Sequence, residues 1–400
     1  MFEHVFIPVI SAADDTEGPV DLGQLVEAML FYDRVSLAIN GVVPQALLRA
    51  WGPNGLLALL EEEFVVLTGV EKQSMVLNFQ QGTSGEFYQP GLATIRDKSG
   101  RVRPTLEVIL GTDAFAPFCN GTNSARRTGA NVRRLSKSYS LDESVTARMA
   151  ADFRDREYVR GAVMKVLAEV APTYVPPPNM LFELWDLGDN HFRLRTDIDW
   201  RAAEAAFALA APRSHQTLNA SMLLATIAGT REALEAGALL DAELATSPLS
   251  SALVQGRVSA SVTRRLDSNT QISLFAQMTL ESGNAIREAV NSGERSFEEI
   301  IALLRRARTF REWLRGAPPE AGLLAHYYQS LRSGSWLESL PVKAFRWSLF
   351  TGLGALGPLG GFGGSVIDSF LLDRLLKGWK PSQFVDGPLR RFVSATERGH

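Results

Sequence analysis

Residues 35–79 read VSLAINGVVPQALLRAWGPNGLLALLEEEFVVLTGVEKQSMVLNF, and the order of elements in them decides the class of fold. Val35 to Ile39 predicts a strand, closed by the turn signal Asn40-Gly41. A short helix follows, with Pro44 in its first turn and Gly52 just past its end. Asn54 is placed to cap a second short helix, Gly55 to Glu62. Phe64 to Leu67 and Met75 to Phe79 predict a hairpin across Thr68 to Gln73. Helices followed by a two-strand hairpin are the order of a winged helix-turn-helix, so the start of the chain reads as winged-helix-like. The helix that would enter a DNA groove ends in Glu61, Glu62 and Glu63 and carries no Arg or Lys. Carboxylates repel phosphate, so this arrangement points to a scaffold or dimerisation role instead.

Upstream, MFEHVFIPVIS has Glu3 where an export signal needs positive charge, and Pro8 breaks its short apolar run. It reads as a first strand, Val5 to Ile10, and the expected compartment is the cytoplasm. Leu22, Leu25, Val26, Met29 and Leu30 recur at helical spacing behind Asp21, a cap candidate. The chain has 400 residues, enough for two or three cores, and 46% hydrophobic with 21% charged residues is ordinary globular composition. A net charge of −3 gives no global pull toward nucleic acid or anionic lipid, so any such attraction must be local. Cys119 is the only cysteine, which excludes a disulfide framework and a cysteine-based zinc site. Asn120-Gly121-Thr122 matches a glycosylation acceptor but has no export route to serve it.

Downstream, Phe87-Tyr88, Leu92 to Ile95 and Leu106 to Leu110 fit short strands. A polar stretch from Asn120 to Ser140 reads as a flexible basic loop. Val145 to Phe153 and Tyr158 to Val170 are helical in pattern. Pro172 and Pro176-Pro177-Pro178 form the clearest linker, and Leu181 to Leu187 predicts a hairpin with His191 to Ile198, turned at Gly188-Asp189-Asn190. Beyond Asp199 the chain is mostly helical: Gln216 to Ala228 and Thr230 to Leu244 read as paired helices around Gly229. Ser296 and Glu299 form a capping box that opens a further helix. The expected class is α+β: a mixed domain over residues 1–171, a proline-rich linker and hairpin over 172–199, and a mainly helical domain over 200–393.

Two groups of residues could bind a partner. Arg126, Arg127, Arg133, Arg134 and Lys137 lie in a stretch with no acid between Asp113 and Asp142. Such a loop can hold a phosphate chain through Arg contacts, against the plainer reading of a solvated surface loop. The second group is the helix from Phe297 to Arg315, whose apolar stripe is flanked by Arg305, Arg306, Arg308, Arg311 and Arg315. Those arginines suit the negative pole of the helix dipole without any partner. With a partner, they would face anionic headgroups on a membrane surface. Residues 347–367, WSLFTGLGALGPLGGFGGSVI, are uncharged and long enough to cross a bilayer. Glycine and Pro358 make a hinge between two apolar helices the better reading. Gly357 with Gly361, and Gly360 with Gly364, have the close-packing spacing found between membrane helices.

Catalytic motifs are missing from the sequence. His4, His191, His215, His326 and His400 are scattered, and no nucleophile elbow, Walker loop or dinucleotide fingerprint appears. Asp197 and Asp199 share a strand face, but Asp199 before Trp200 reads as a helix cap. No cofactor, metal site or catalytic residue is expected. FLLDRLLKGWKPSQFVD, Phe370 to Asp386, resembles the closing segment of an uncharacterised bacterial protein family. That family has no assigned activity, so the resemblance implies only a bacterial, intracellular setting. The leading functional expectation is a non-catalytic cytoplasmic interaction or effector protein. It would act by protein–protein contact, self-association, or reversible binding to the inner-membrane surface through its C-terminal helices. The alternatives are a protein, with or without hydrolase activity, that binds nucleic acid or nucleotides through the basic stretch, and a structural subunit of a larger assembly.

Overall fold

Five strands lie parallel in one sheet, in the order β6 (Lys137–Tyr139), β3 (Val66–Val70), β2 (Arg34–Ala38), β1 (His4–Ile7) and β9 (Glu243–Leu244). The computed structural model describes residues 3–8, 20–82, 85–97, 99–212, 216–245, 253, 285–315 and 381–394. β1 (His4–Ile7) is followed by α1 (Leu22–Phe31), β2 (Arg34–Ala38), α2 (Val43–Glu61) and β3 (Val66–Val70). Each crossover returns the chain parallel to the strand before it, Val5 beside Val35 and Ser36 beside Val66. Asp21 caps α1 by accepting from the amide of Gln24. α2 is continuous except at Gly52, whose φ of 66° marks the break expected between two short helices.

The winged-helix-like start is corrected here. β3 does not fold back as one arm of a hairpin; it lies between β2 and β6 with all five residues buried. A strand buried on both faces is a near-continuous apolar run, which is how FVVLTGV reads once its neighbours are known. The hairpin forms one step later, from β4 (Gln73–Gly82) and β5 (Gly85–Thr94). Leu106 to Leu110, expected as a strand, falls in a short helix instead, α3 (Thr105–Ile109), followed by α4 (Thr112–Phe115). Pro104 precedes it with φ of −54°, a geometry that admits a helix directly after it.

The basic stretch is likewise a helix rather than a loop: α5 (Thr122–Leu135), leading into the edge strand β6 (Lys137–Tyr139). α6 (Ser144–Arg154) and α7 (Arg156–Val170) follow where their periodicity places them. β7 (Phe182–Asp186) and β8 (Phe192–Thr196) form the expected hairpin, with Gly188, Asp189 and Asn190 all at positive φ in its turn. β8 then pairs with β5, completing a four-stranded antiparallel sheet, β4-β5-β8-β7.

After α8 (Trp200–Ala210), capped by Asp199, one uninterrupted helix α9 (Ala220–Leu239) runs through Gly229. Its end gives way to β9 (Glu243–Leu244), which pairs with β1, so the expected second helix of that pair does not reach Leu244. The final described elements are α10 (Ala285–Asn291), α11 (Phe297–Arg306), α12 (Arg308–Arg315), α13 (Pro381–Phe384) and α14 (Arg390–Ser394). A π-helical stretch, Val385–Leu389, joins the last two. An N-terminal region mixing strands and helices is thus followed by a mainly helical C-terminal stretch. Residues 347–367 lie outside the described residues.

Two large cores result, and both draw on residues from each side of the 172–178 proline segment. The first packs α1, α2 and α5 on one face of the parallel sheet with α10, α11 and α12. The second packs α6, α7, α8 and α9 against the antiparallel sheet. α9 also covers the opposite face of the parallel sheet through Leu234 and Ala236 beside Phe6 and Leu244. Asp152 on α6 and Arg231 on α9 form a bidentate pair, at 2.6 and 2.7 Å, buried where those helices meet. Arg148 makes a second two-pronged contact to Glu235 one turn away.

Candidate functional site

α5 has no acidic residue in its 14, TNSARRTGANVRRL, and begins after Gly121, whose φ of 88° only glycine adopts freely. Its inward face is Ala125, Thr128, Gly129 and Val132, the i, i+3, i+4, i+7 rows of a helix. Three of these are small, which lets the helix axis lie close to α4. A Cβ on Gly129 would sit 3.0 Å from the Leu110 carbonyl oxygen and 3.2 Å from the Phe115 ring. Cys119 is half-buried beneath the same helix, its thiol 3.8 Å from the Thr128 hydroxyl.

At 3.6 residues per turn, Arg126, Arg127, Arg133 and Arg134 fall in a sector of about 120° on the outward side. Arg126, Arg127 and Arg134 are exposed, and among the described residues none has a hydrogen-bond or ion-pair partner. Arg133 is half-buried and donates one N–H to the Leu110 carbonyl at 3.2 Å, which fixes its stem. The four guanidinium groups form two pairs, seven residues or about 10.5 Å apart along the axis. Within that sector Ala130 lies between the pairs and Asn123 one turn before them, so it contains no large apolar side chain.

Lys137 does not belong to this cluster. It pairs in register with Thr68 on the edge strand and faces the α9 side of the parallel sheet, where its charge helps hold the His4 pKa down. Sequence reasoning also passed over Asn123, the polar residue of the sector, which carries no charge signal. The buried spacing Ala125-Thr128-Gly129-Val132 was the one clue that this stretch is helical.

The second basic group is used largely inside the chain. Arg305 grips Glu62 with two nitrogens, and Arg315 lies 2.8 Å from Asp33. Arg311 is buried beneath Phe64, donating to the carbonyls of Met29 at 2.9 Å and Leu304 at 3.3 Å. Burial pushes its pKa down to about 10. Arg306 and Arg308 remain exposed. Gly357, Gly360, Gly361 and Gly364 lie outside the described residues. No described helix is long and apolar enough to cross a membrane.

The α9-facing side of the parallel sheet carries the other polar groups. His4 Nε2 is 2.8 Å from the Ser36 hydroxyl, but Ser36 is 3% exposed and faces packed helix rather than an opening. Burial, then the nearby Arg34 charge, lowers the His4 pKa. Among the described residues no charge offsets the desolvation of Glu232 on α9, which raises its pKa to about 7. Among the described residues no group of three His, Cys, Asp or Glu side chains is arranged to hold a metal. The strand order reverses at β1, and open parallel sheets bind ligands in the crevice at such a point. Residues 9–19, which follow β1 in the chain, lie outside the described residues. Comparison with known proteins gave no match to any family model, curated protein or solved structure.

Proposed function

We propose that this protein binds nucleic acid through the exposed arginine face of α5, as a non-catalytic interaction protein. The observation that carries this reading is the placement of four arginines on one outward sector, three of them without a partner among the described residues. Unpaired arginines held on a rigid helix lose less freedom on binding than the same residues in a loop, so each phosphate contact retains more of its energy. Their planar donors suit phosphate oxygens.

The absence of a large apolar side chain from the sector favours a phosphate backbone over a bilayer, because surface helices add buried apolar area to charge attraction. The alternative route, through the C-terminal helices, has less support. Three of its five arginines already hold Glu62, Asp33 and two backbone carbonyls.

The test is fluorescence anisotropy of a labelled oligonucleotide with the full chain over a range of salt concentrations. Three to four phosphate contacts predict a slope of log affinity against log salt of about −2 to −3.5. Affinity that does not change with salt would overturn the reading.

A further inference from the structure

We infer that the solvent-facing side of the four-stranded sheet is a stacking platform for single-stranded nucleic acid. This rests on the proposed nucleic-acid function and names the form of ligand. The strand registers place Gln80 opposite Phe87, Phe87 opposite Arg193, and Arg193 opposite Trp185. These four residues form one row that crosses all four strands. The other face of the same strands, with Tyr88, Phe192, Leu184 and Leu194, is buried in the second core under α6, α7 and α9. The row therefore lies on the face of the sheet opposite the second core, where Phe79, paired with Tyr88 at the β4 end of the core side, is itself 45% exposed.

Trp185 is 44% exposed on this face. Its indole N–H donates to Glu183 at 3.0 Å, which orients the ring. Glu183 in turn faces Arg156 at 3.8 Å, so its charge has a cation against it. Arg193 stands between the two aromatic residues, and Arg195 lies two residues further along β8 on the same face. Both are exposed, and among the described residues neither has an ion-pair or hydrogen-bond partner. Strands lie about 4.8 Å apart, so Phe87 and Trp185 are separated by about 10 Å with a guanidinium between.

Aromatic faces stack on bases of any sequence, and a cation between them meets the phosphates that link those bases. In a duplex the base faces are already stacked on one another. An aromatic row on an open sheet therefore favours unpaired bases. The occupant is a single strand rather than a duplex.

The test is anisotropy with a fluorescein-labelled 20-nucleotide thymidine oligomer and a duplex of equal length, using the full chain. Trp185→Ala should weaken the single strand about tenfold and leave the duplex unchanged, and Trp185→Phe should restore most of the loss. Arg193→Gln should weaken the single strand several-fold and make the salt slope shallower by up to about 1. Circular dichroism melts of each variant establish that the fold is retained. If wild type binds the oligomer while both sheet variants bind it equally well, the platform is overturned and the α5 reading stands. If single strand and duplex weaken alike, the platform is also overturned. If wild type binds neither, both readings fall. Loss of a concentration-dependent dimer in Trp185→Ala, with oligomer binding intact, would assign the face to a second copy of the chain and overturn the inference.

Discussion

Arg311 and Arg126 have the same side chain and opposite environments. Arg311 is 6% exposed and supplies donors to two backbone carbonyls, so removing it strands those acceptors and leaves a cavity beneath Phe64. Arg311→Ala should lower unfolding free energy by about 3 kcal/mol or more, read from the urea midpoint. Glu62→Ala breaks an ion pair whose arginine is 61% exposed and should cost less than about 1 kcal/mol in the same measurement. Equal losses would mean that burial does not govern these contacts. Glu232 gives a pH signature. Its folded pKa, raised to about 7, lies above the unfolded carboxylate value, so its contribution is present in acid and lost as pH rises through 7. The carboxyl keeps some exposed surface although packed atoms desolvate it, which limits the effect to about 1–2 kcal/mol. Glu232→Gln should flatten the stability profile between pH 5 and 8; an unchanged profile would contradict the assignment. Local chemistry of this kind was partly legible in advance. The Ser296–Glu299 capping box and the Asp199 cap form as their sequence context requires, because each involves neighbours a few residues apart. The burial of Arg311 was not legible, since Met29 and Phe64 come to it from more than 200 residues upstream.

Among the elements, α5 and α1 depend on small residues at their contact faces. Gly23 in α1 meets α10 so closely that an added Cβ would lie 2.5 Å from the Arg287 Cα. That neighbour is backbone and cannot rotate away. Gly23→Ala should therefore destabilise by at least about 2 kcal/mol in thermal or urea unfolding. At Gly237 the obstacle is the tip of the Leu244 side chain at 2.8 Å, and the same substitution should cost roughly 1 kcal/mol. The reverse order would contradict the packing described. α5 was misread as a loop because Gly, Asn, Ser and Thr signal turns by composition. Here Thr128 and Gly129 are the buried side of a helix that lies too close to Leu110 and Phe115 for anything larger. The β7–β8 hairpin was legible from its alternation, with Leu184, Phe192 and Leu194 facing in and Trp185, Arg193 and Arg195 facing out. What the alternation could not reveal is that β5 joins it and aligns Phe87 in the same row.

Across the whole molecule, chain order and spatial order part company. β9, more than 230 residues after β1, completes the parallel sheet beside it, and α10 to α12 close the core over α1. Parallel pairing across such distances leaves no local mark, which is why the sequence suggested a cut near the proline segment at 172–178. A fragment ending at residue 171 would lack β7, β8 and β9, leaving β5 and β1 with unpaired edges. It should be insoluble or unfolded by circular dichroism, whereas an autonomously folding fragment would contradict the shared cores. On this framework α5 holds its arginines outward from the packed layer. The most direct measurement is oligonucleotide affinity for the variant Arg126→Glu, Arg127→Glu, Arg134→Glu, with its melting temperature checked against wild type. These three side chains make no hydrogen bond or ion pair among the described residues, so stability should hold while affinity falls at least tenfold and the salt slope becomes shallower by about 2 to 3. Wild-type affinity in a folded variant would contradict the proposed function.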